Sequence, residues 1–196
     1  MKFAILGEDK SDANTLRVLV RRLFESSPTK RVKEKKAAIK PKNYHGWSHL
    51  CRKGARDLRQ LARAGCDRFI VCVDADGPDP AERRRHIQRE VIAKAGLDSL
   101  ECCLVIPVQE LEAWLLADIE QAGPKVILSW RPSAIKNPER QASPKEHLRR
   151  LSVDPGTRKA RYNEVLHNER LAEHLRLDRV EAKCESFKPL VDFVRK

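Results

Sequence analysis

Short apolar runs alternate with stretches in which apolar positions return every third or fourth residue, and this alternation organises the first half of the chain. The runs predict strands over residues 2–6, 68–73 and 100–106, and the amphipathic stretches predict helices over 12–25, 48–64, 80–95 and 109–118. In helix 12–25, Leu16, Leu19, Val20 and Leu23 share the face that would meet a sheet, and Ser11 or Asp12 is the expected cap. In helix 109–118, Leu111, Trp114 and Leu115 recur at packing intervals with Glu112 on another face, and Gly123-Pro124 is expected to punctuate its end. Strand followed by helix, repeated, predicts an α/β fold with a mainly parallel sheet flanked by helices. The pattern fails over 28–46, where Thr29 to Lys42 carries seven basic residues against one acid, and a mobile basic loop is expected there. From residue 121 onward the chain reads as loops and short helices, 145–151, 162–175 and 187–194. The expected organisation is therefore an α/β core over 1–120 and a helical extension over 121–196, with no internal repeat.

Acidic residues cluster where the strands end. The run 68–73 leads into Asp74-Ala-Asp76-Gly77, and side chains at i and i+2 of an extended chain point to one side, so both carboxylates could face one cation before Gly77 turns the chain. Glu8 follows the first strand, and Glu110 and Glu112 follow the segment 104–108. Ligands of open parallel sheets sit outside the carboxyl ends of the strands. Oxygen donors of this kind suit Mg²⁺ or Mn²⁺. Strand-end acids also serve as ordinary helix caps, but convergence of Glu8, Asp74, Asp76 and Glu112 would be repulsive without a compensating cation or proton. The loop 5–12 lacks the glycine spacing of a phosphate-binding P-loop.

Composition adds a partner to this picture. At 196 residues with 40 Lys+Arg against 28 Asp+Glu, the formal charge is +12, which points to a polyanion, DNA or RNA. Candidate contacts are Lys33, Lys35 and Lys36 of the basic stretch, Arg52, Lys53, Arg56 and Arg59 of helix 48–64 (which also carries Arg63), and the cluster Arg158, Lys159 and Arg161. No apolar run is long enough to span a bilayer, and a cytoplasmic protein without membrane contact is expected. The six cysteines form no CxxC pair and read as reduced core thiols. His45 and His49 lie four apart, which on a helix would share a face, but no nearby acid supports a transition-metal site, and Trp47 is expected to pack at the helix start.

The order Gly7-Glu8, Ser11-Asp12, Asp74-Ala-Asp76-Gly77 and Pro107-Val-Gln-Glu-Leu-Glu-Ala-Trp-Leu-Leu-Ala-Asp118 resembles the TOPRIM-like domains of prokaryotic defence and nuclease proteins, related to OLD-type nucleases. Within them it is most similar to a small standalone family often encoded beside an ATPase, and Cys184-Glu-Ser-Phe-Lys188 is similar to the end of that family. The chain departs in placing Asp9-Lys10 where many such domains have glycine and a small residue. The resemblance implies a Rossmann-like TOPRIM core and a divalent-metal-dependent nuclease of DNA or RNA, serving as effector of a defence system. By that resemblance, Asp74 and Asp76 would be Mg²⁺ or Mn²⁺ ligands, Glu8 a ligand or general base, and Glu112 a further catalytic acid. The alternative is a non-catalytic nucleic-acid-binding or ATPase-partner subunit with the same fold.

Overall fold

The computed structural model describes residues 1–27, 37–98 and 100–196. Four strands, β1 (Lys2–Gly7), β2 (Ala38–Asn43), β3 (Arg68–Cys72) and β4 (Cys102–Val105), form one parallel sheet in the order β2-β1-β3-β4. The interior strands read as continuous apolar runs because they are covered on both faces. Their alternation divides the core in two. Phe3, Ile5, Ile70, Cys72, Cys103 and Val105 face α1 (Lys10–Glu25), while Ala4, Leu6, Phe69, Val71, Cys102 and Leu104 face α2 (Trp47–Arg63) and α3 (Ala81–Ile87), which continues as π-helix Gln88–Ala93. Gly54 lets α2 approach that π-helix, since a Cβ there would stand 2.8 Å from Val91 Cγ1. The architecture is α/β and consistent with a Rossmann-like fold.

β2 corrects the expected loop over 28–46. Residues 38–43 pair in parallel with 2–7, on an edge where most side chains are exposed and Pro41 sits opposite Ile5. Its charged composition hides the strand, and edge strands use lysine and proline to discourage further pairing. Tyr44, just beyond β2, donates a 2.9 Å hydrogen bond to buried Asp57 of α2, and Lys42 lies 3.2 Å from the same carboxylate. Lys33, Lys35 and Lys36 lie outside the described residues.

The second half packs on the α1 face. It comprises α4 (Glu112–Leu116), α5 (Ile119–Val126), α6 (Pro144–Leu151), α7 (Glu164–His174), α8 (Leu177–Lys183) and α9 (Lys188–Arg195), with short 3₁₀ turns at Pro138–Arg140 and Glu185–Phe187. Trp114, Trp130, Leu148, Leu171, Phe187 and Val194 join Phe3 and Ile5 in one apolar cluster. α7 is clamped to α1 by Arg17–Glu169 and Arg21–Glu173 pairs and by Arg22, which donates to the Leu175 carbonyl at 2.7 Å. Two expectations change here. The helix placed over 109–118 starts only at Glu112, because Gln109 takes a left-handed φ of 63°. Gly123-Pro124 does not end a helix but lies inside α5, where glycine makes room for Trp130, 3.1 Å from where a Cβ would be.

The segments quoted for the family resemblance meet in space. Trp114 donates through Nε1 to Ser186 Oγ at 2.8 Å, and its ring meets Phe187 edge-on at 5.0 Å. Their sequence signature is a packing joint between α4 and the turn before α9.

Candidate functional site

The register of the sheet decides what gathers at its carboxyl edge. Gly7 is opposite Cys72, so the chain leaves β1 and β3 side by side, at the point where connections diverge to opposite edges of the sheet. Gly7 is required there: a Cβ would stand 2.8 Å from the Ala13 backbone nitrogen, so only glycine lets α1 start this close. The helix cap is Asp9, whose carboxylate accepts from the Asp12 N–H at 2.9 Å. Asp12, expected as the cap, is instead freed from that duty and buried.

After β3 the backbone stays bonded to the segment following β4, through Ala75 N–H to Pro107 O and Asp76 N–H to Gln109 O, each 3.1 Å. Asp74 is thereby held inside, accepting from the Leu111 N–H at 3.0 Å. Asp76 takes a left-handed φ of 51°, and its side chain is 57 % exposed and bound to Arg83. The two carboxylates therefore do not share one side as the i, i+2 reading expected. The strand has ended at Cys72, and the alternation rule ends with it.

Half-buried Glu8 and Asp74 and buried Asp12 and Glu112 form an interacting set. Burial and, behind it, the Asp12, Glu112, Glu8 and Glu110 charges hold the Asp74 carboxyl well above its ordinary pKa. Asp12 is held well above its range by burial, then by Asp9, Glu112 and Glu8. Glu8 is raised to about 7 mainly by burial, although Arg83 works in the opposite direction. Glu112, only 2 % exposed, is raised by burial against the pull of Lys145 and Asn168. It accepts from Asn168 Nδ2 at 2.9 Å, and Asn168 Nδ2 also donates to Ser11 Oγ at 3.1 Å; the Tyr162 hydroxyl lies 3.5 Å from Glu112 and donates to Asn168 Oδ1, holding that amide in place. Glu110 accepts from the Lys145 backbone N–H at 2.9 Å. Burial lowers the Lys145 ammonium's pKa, but Glu112, Glu110, Asp74 and Asp12 outweigh it and raise the net value.

Residues 7–195 match the family described as Domain of unknown function (DUF4276). The chain belongs to this family. Comparisons with curated proteins and with solved structures find no match. The DUF4276 match runs from the strand end that carries Glu8 through the helices that carry Lys145 and Asn168, so both halves of the acid pocket lie within it.

The pocket fits a hard cation in the kind of donor it offers. Glu8 Oε1 and Arg83 Nη1 are buried atoms 3.6 Å apart, and neither makes a hydrogen bond among the described residues. The ligands are not assembled as a cage: among the described residues no group of three or more His, Cys, Asp or Glu side chains is arranged to hold a metal ion. His45 and His49 stack on one another at 5.7 Å.

The basic candidates divide. Arg52 and Lys53 are exposed on α2, Arg56 lies 3.3 Å from Asp57, and Arg59 donates to the Lys94 carbonyl. Arg158 and Lys159 are exposed at a turn. Arg161, partly exposed, donates to the Leu128 carbonyl at 2.8 Å. Asp12, Arg83, Lys145, Tyr162 and Asn168 were not anticipated as site residues. Sequence gave a signal for Asp12 alone, in its position one turn after a strand-end acid. No helix among the described residues is long and apolar enough to cross a membrane.

Proposed function

We propose that this protein is a divalent-metal-dependent phosphodiesterase acting on DNA or RNA, with a TOPRIM-like core. The observation that carries the reading is the gathering of half-buried Glu8 and Asp74 with buried Asp12 and Glu112 at the β1/β3 divergence, with Lys145 as a cation among them. Such a set is repulsive when ionised, so it favours binding a proton or a cation. Glu8 and Asp74 would hold Mg²⁺ or Mn²⁺, with Glu112 positioned by Asn168 and Tyr162 beside them. A bound divalent ion would supply Lewis-acid polarisation of a phosphoryl oxygen. Glu8 would act as a ligand or, where it does not hold the ion, as a general base, a role that its metal-free pKa of about 7 suits. Arg83, between Glu8 and Asp76, joins this site to the neighbouring surface. Service as a defence effector beside an ATPase extends the same reading.

One observation favours a second reading. Arg83 already neutralises Asp76 and faces Glu8, as it would in a non-catalytic nucleic-acid-binding or ATPase-partner subunit. Asp74→Asn separates the two. Under our reading Mg²⁺ or Mn²⁺ raises the melting temperature of wild type and supports cleavage of plasmid, single strands or tRNA, and the variant loses both effects while melting no lower without metal. Absence of a metal-induced melting shift together with absence of cleavage in wild type refutes the enzyme and leaves the binding subunit.

A further inference from the structure

Two cavities on the α2/α3 side of the sheet meet at His86 and have opposite chemistry. One, of about 490 Å³, is lined by Arg52, Arg56, Arg59 and Lys94. The three arginines follow at i, i+4 and i+7 and so share one helix face. Its one acid, Glu90, is already engaged by Arg89 at 2.7 Å and Lys94 at 2.5 Å. Arg52 makes no ion pair among the described residues. This groove suits a run of phosphates.

The second cavity, of about 550 Å³, does not suit phosphate. Asp76, Asp79 and Glu82 line it against Arg83 alone, and its aromatic wall is Trp47. The Arg83 guanidinium lies 4.1 Å from the Trp47 ring centroid, and the His86 ring is 5.2 Å away. Of the three tryptophans, Trp114 and Trp130 are fully buried, whereas Trp47 is partly exposed beside a space large enough for a planar heterocycle. Carboxylates around such a ring accept hydrogen bonds from exocyclic amines and ring N–H groups. Arg83 also faces Glu8, so this cavity borders the acid pocket.

We infer that the protein binds single-stranded nucleic acid, with phosphates along the Arg52, Arg56 and Arg59 face and an unpaired base against Trp47 and Arg83. Bases inside a duplex are already stacked and paired, so they cannot enter a side cavity of this kind without being extruded. Alternation of a cationic groove with an aromatic platform is the arrangement by which strands are held without sequence readout. The inference rests on the nucleic-acid reading above and names its substrate class.

The test uses fluorescein-labelled 20-mers in EDTA, so that binding is measured apart from cleavage. The probes are a single strand, the same strand made abasic, and a blunt duplex, each as DNA, with the intact single strand also as RNA. The expected result is that the intact single strand binds best and quenches tryptophan emission, of which Trp47 is the accessible source. Trp47→Leu should weaken that binding about tenfold and abolish the quench, with abasic and duplex binding unchanged, and Trp47→Phe should keep most of the affinity. An abasic strand bound as tightly as the intact one by wild type overturns the inference without relying on any variant. Tight, salt-sensitive duplex binding indifferent to Trp47→Leu overturns it too but leaves the nucleic-acid reading standing. Failure to bind any strand in EDTA overturns the inference, and failure to bind or cleave any strand in Mg²⁺ as well overturns both.

Discussion

Replacing Glu8 by glutamine tests whether the acid pocket is destabilised by its own charge. Burial raises the Glu8 pKa from 4.5 to about 7, which corresponds to about 3 kcal/mol held against the ionised form. The folded state therefore binds this proton more tightly than the unfolded chain. That contribution to stability is fully present below 4.5 and is lost as pH rises through about 7. Glutamine keeps the shape and removes the charge, so without divalent metal Glu8→Gln should stabilise the protein by about 3 kcal/mol at pH 8, or roughly 6–12 °C for a chain of this size. At pH 5 most of the wild-type side chain is already protonated in the fold, and the gain should shrink below about 1 kcal/mol. Urea unfolding of both proteins in EDTA at the two pH values measures the difference. Equal stabilisation at both, or none at pH 8, would falsify the account of Glu8 as a carboxylate held in an unfavourable place. If the site takes a cation, Mg²⁺ at pH 8 should stabilise wild type and close part of the gap to the variant.

Two further substitutions test the frame around that site. Gly7→Ala should cost about 1–3 kcal/mol in urea unfolding, because the new methyl would meet the Ala13 backbone at 2.8 Å and a helix backbone cannot give way as a flexible side chain would. Unchanged stability would show that α1 does not need to start so close to β1. Asp118→Asn should cost about 2 kcal/mol, since the fully buried carboxylate accepts from the Arg176 backbone N–H at 2.8 Å and pairs with its guanidinium. Arg176 stays partly hydrated, which keeps the loss below that of a wholly buried pair, and a loss under about 0.5 kcal/mol would assign this contact to the surface class.

The sequence made three strands of the sheet legible, the edge strand β4 included, and the other edge strand, β2, illegible, for one physical reason. β1, β3 and β4 are covered on both faces and so read as unbroken apolar runs, whereas β2 is open to solvent and carries Lys40, Pro41 and Lys42, which imitate a loop. Strand-end acids were visible at Glu8 and Asp74. Asp76 was misplaced because its direction depends on a left-handed residue beyond the strand, which periodicity does not encode. Asp12 was taken for a cap because both Asp9 and Asp12 suit that role, and only the start of α1 at Lys10 decides between them. Lys145 and Asn168 reach the site from far along the chain, on helices whose docking is set by Leu148 and Leu171 in the shared core, and Tyr162 from the segment joining those helices, so no local pattern marks them.

The long-range closure explains why the carboxyls are perturbed at all. At the edge of a bare sheet, Asp74 and Glu112 would be hydrated and would ionise in their ordinary range. Here α6 and α7 cover them, Asn168, itself held by Tyr162, takes up Glu112, and Lys145 supplies the positive charge that lies among them. One lysine does not balance Asp12, Asp74 and Glu112 when they ionise, and burial with mutual repulsion holds their pKa values up instead. An apolar core of the same volume would avoid that repulsion and would be easier to fold around. Burying more carboxylates than cations therefore makes structural sense only if something that binds to the folded state compensates them. Protons do so for as long as the raised pKa values keep these carboxyls neutral, and a divalent cation would take over that role under the reading proposed above.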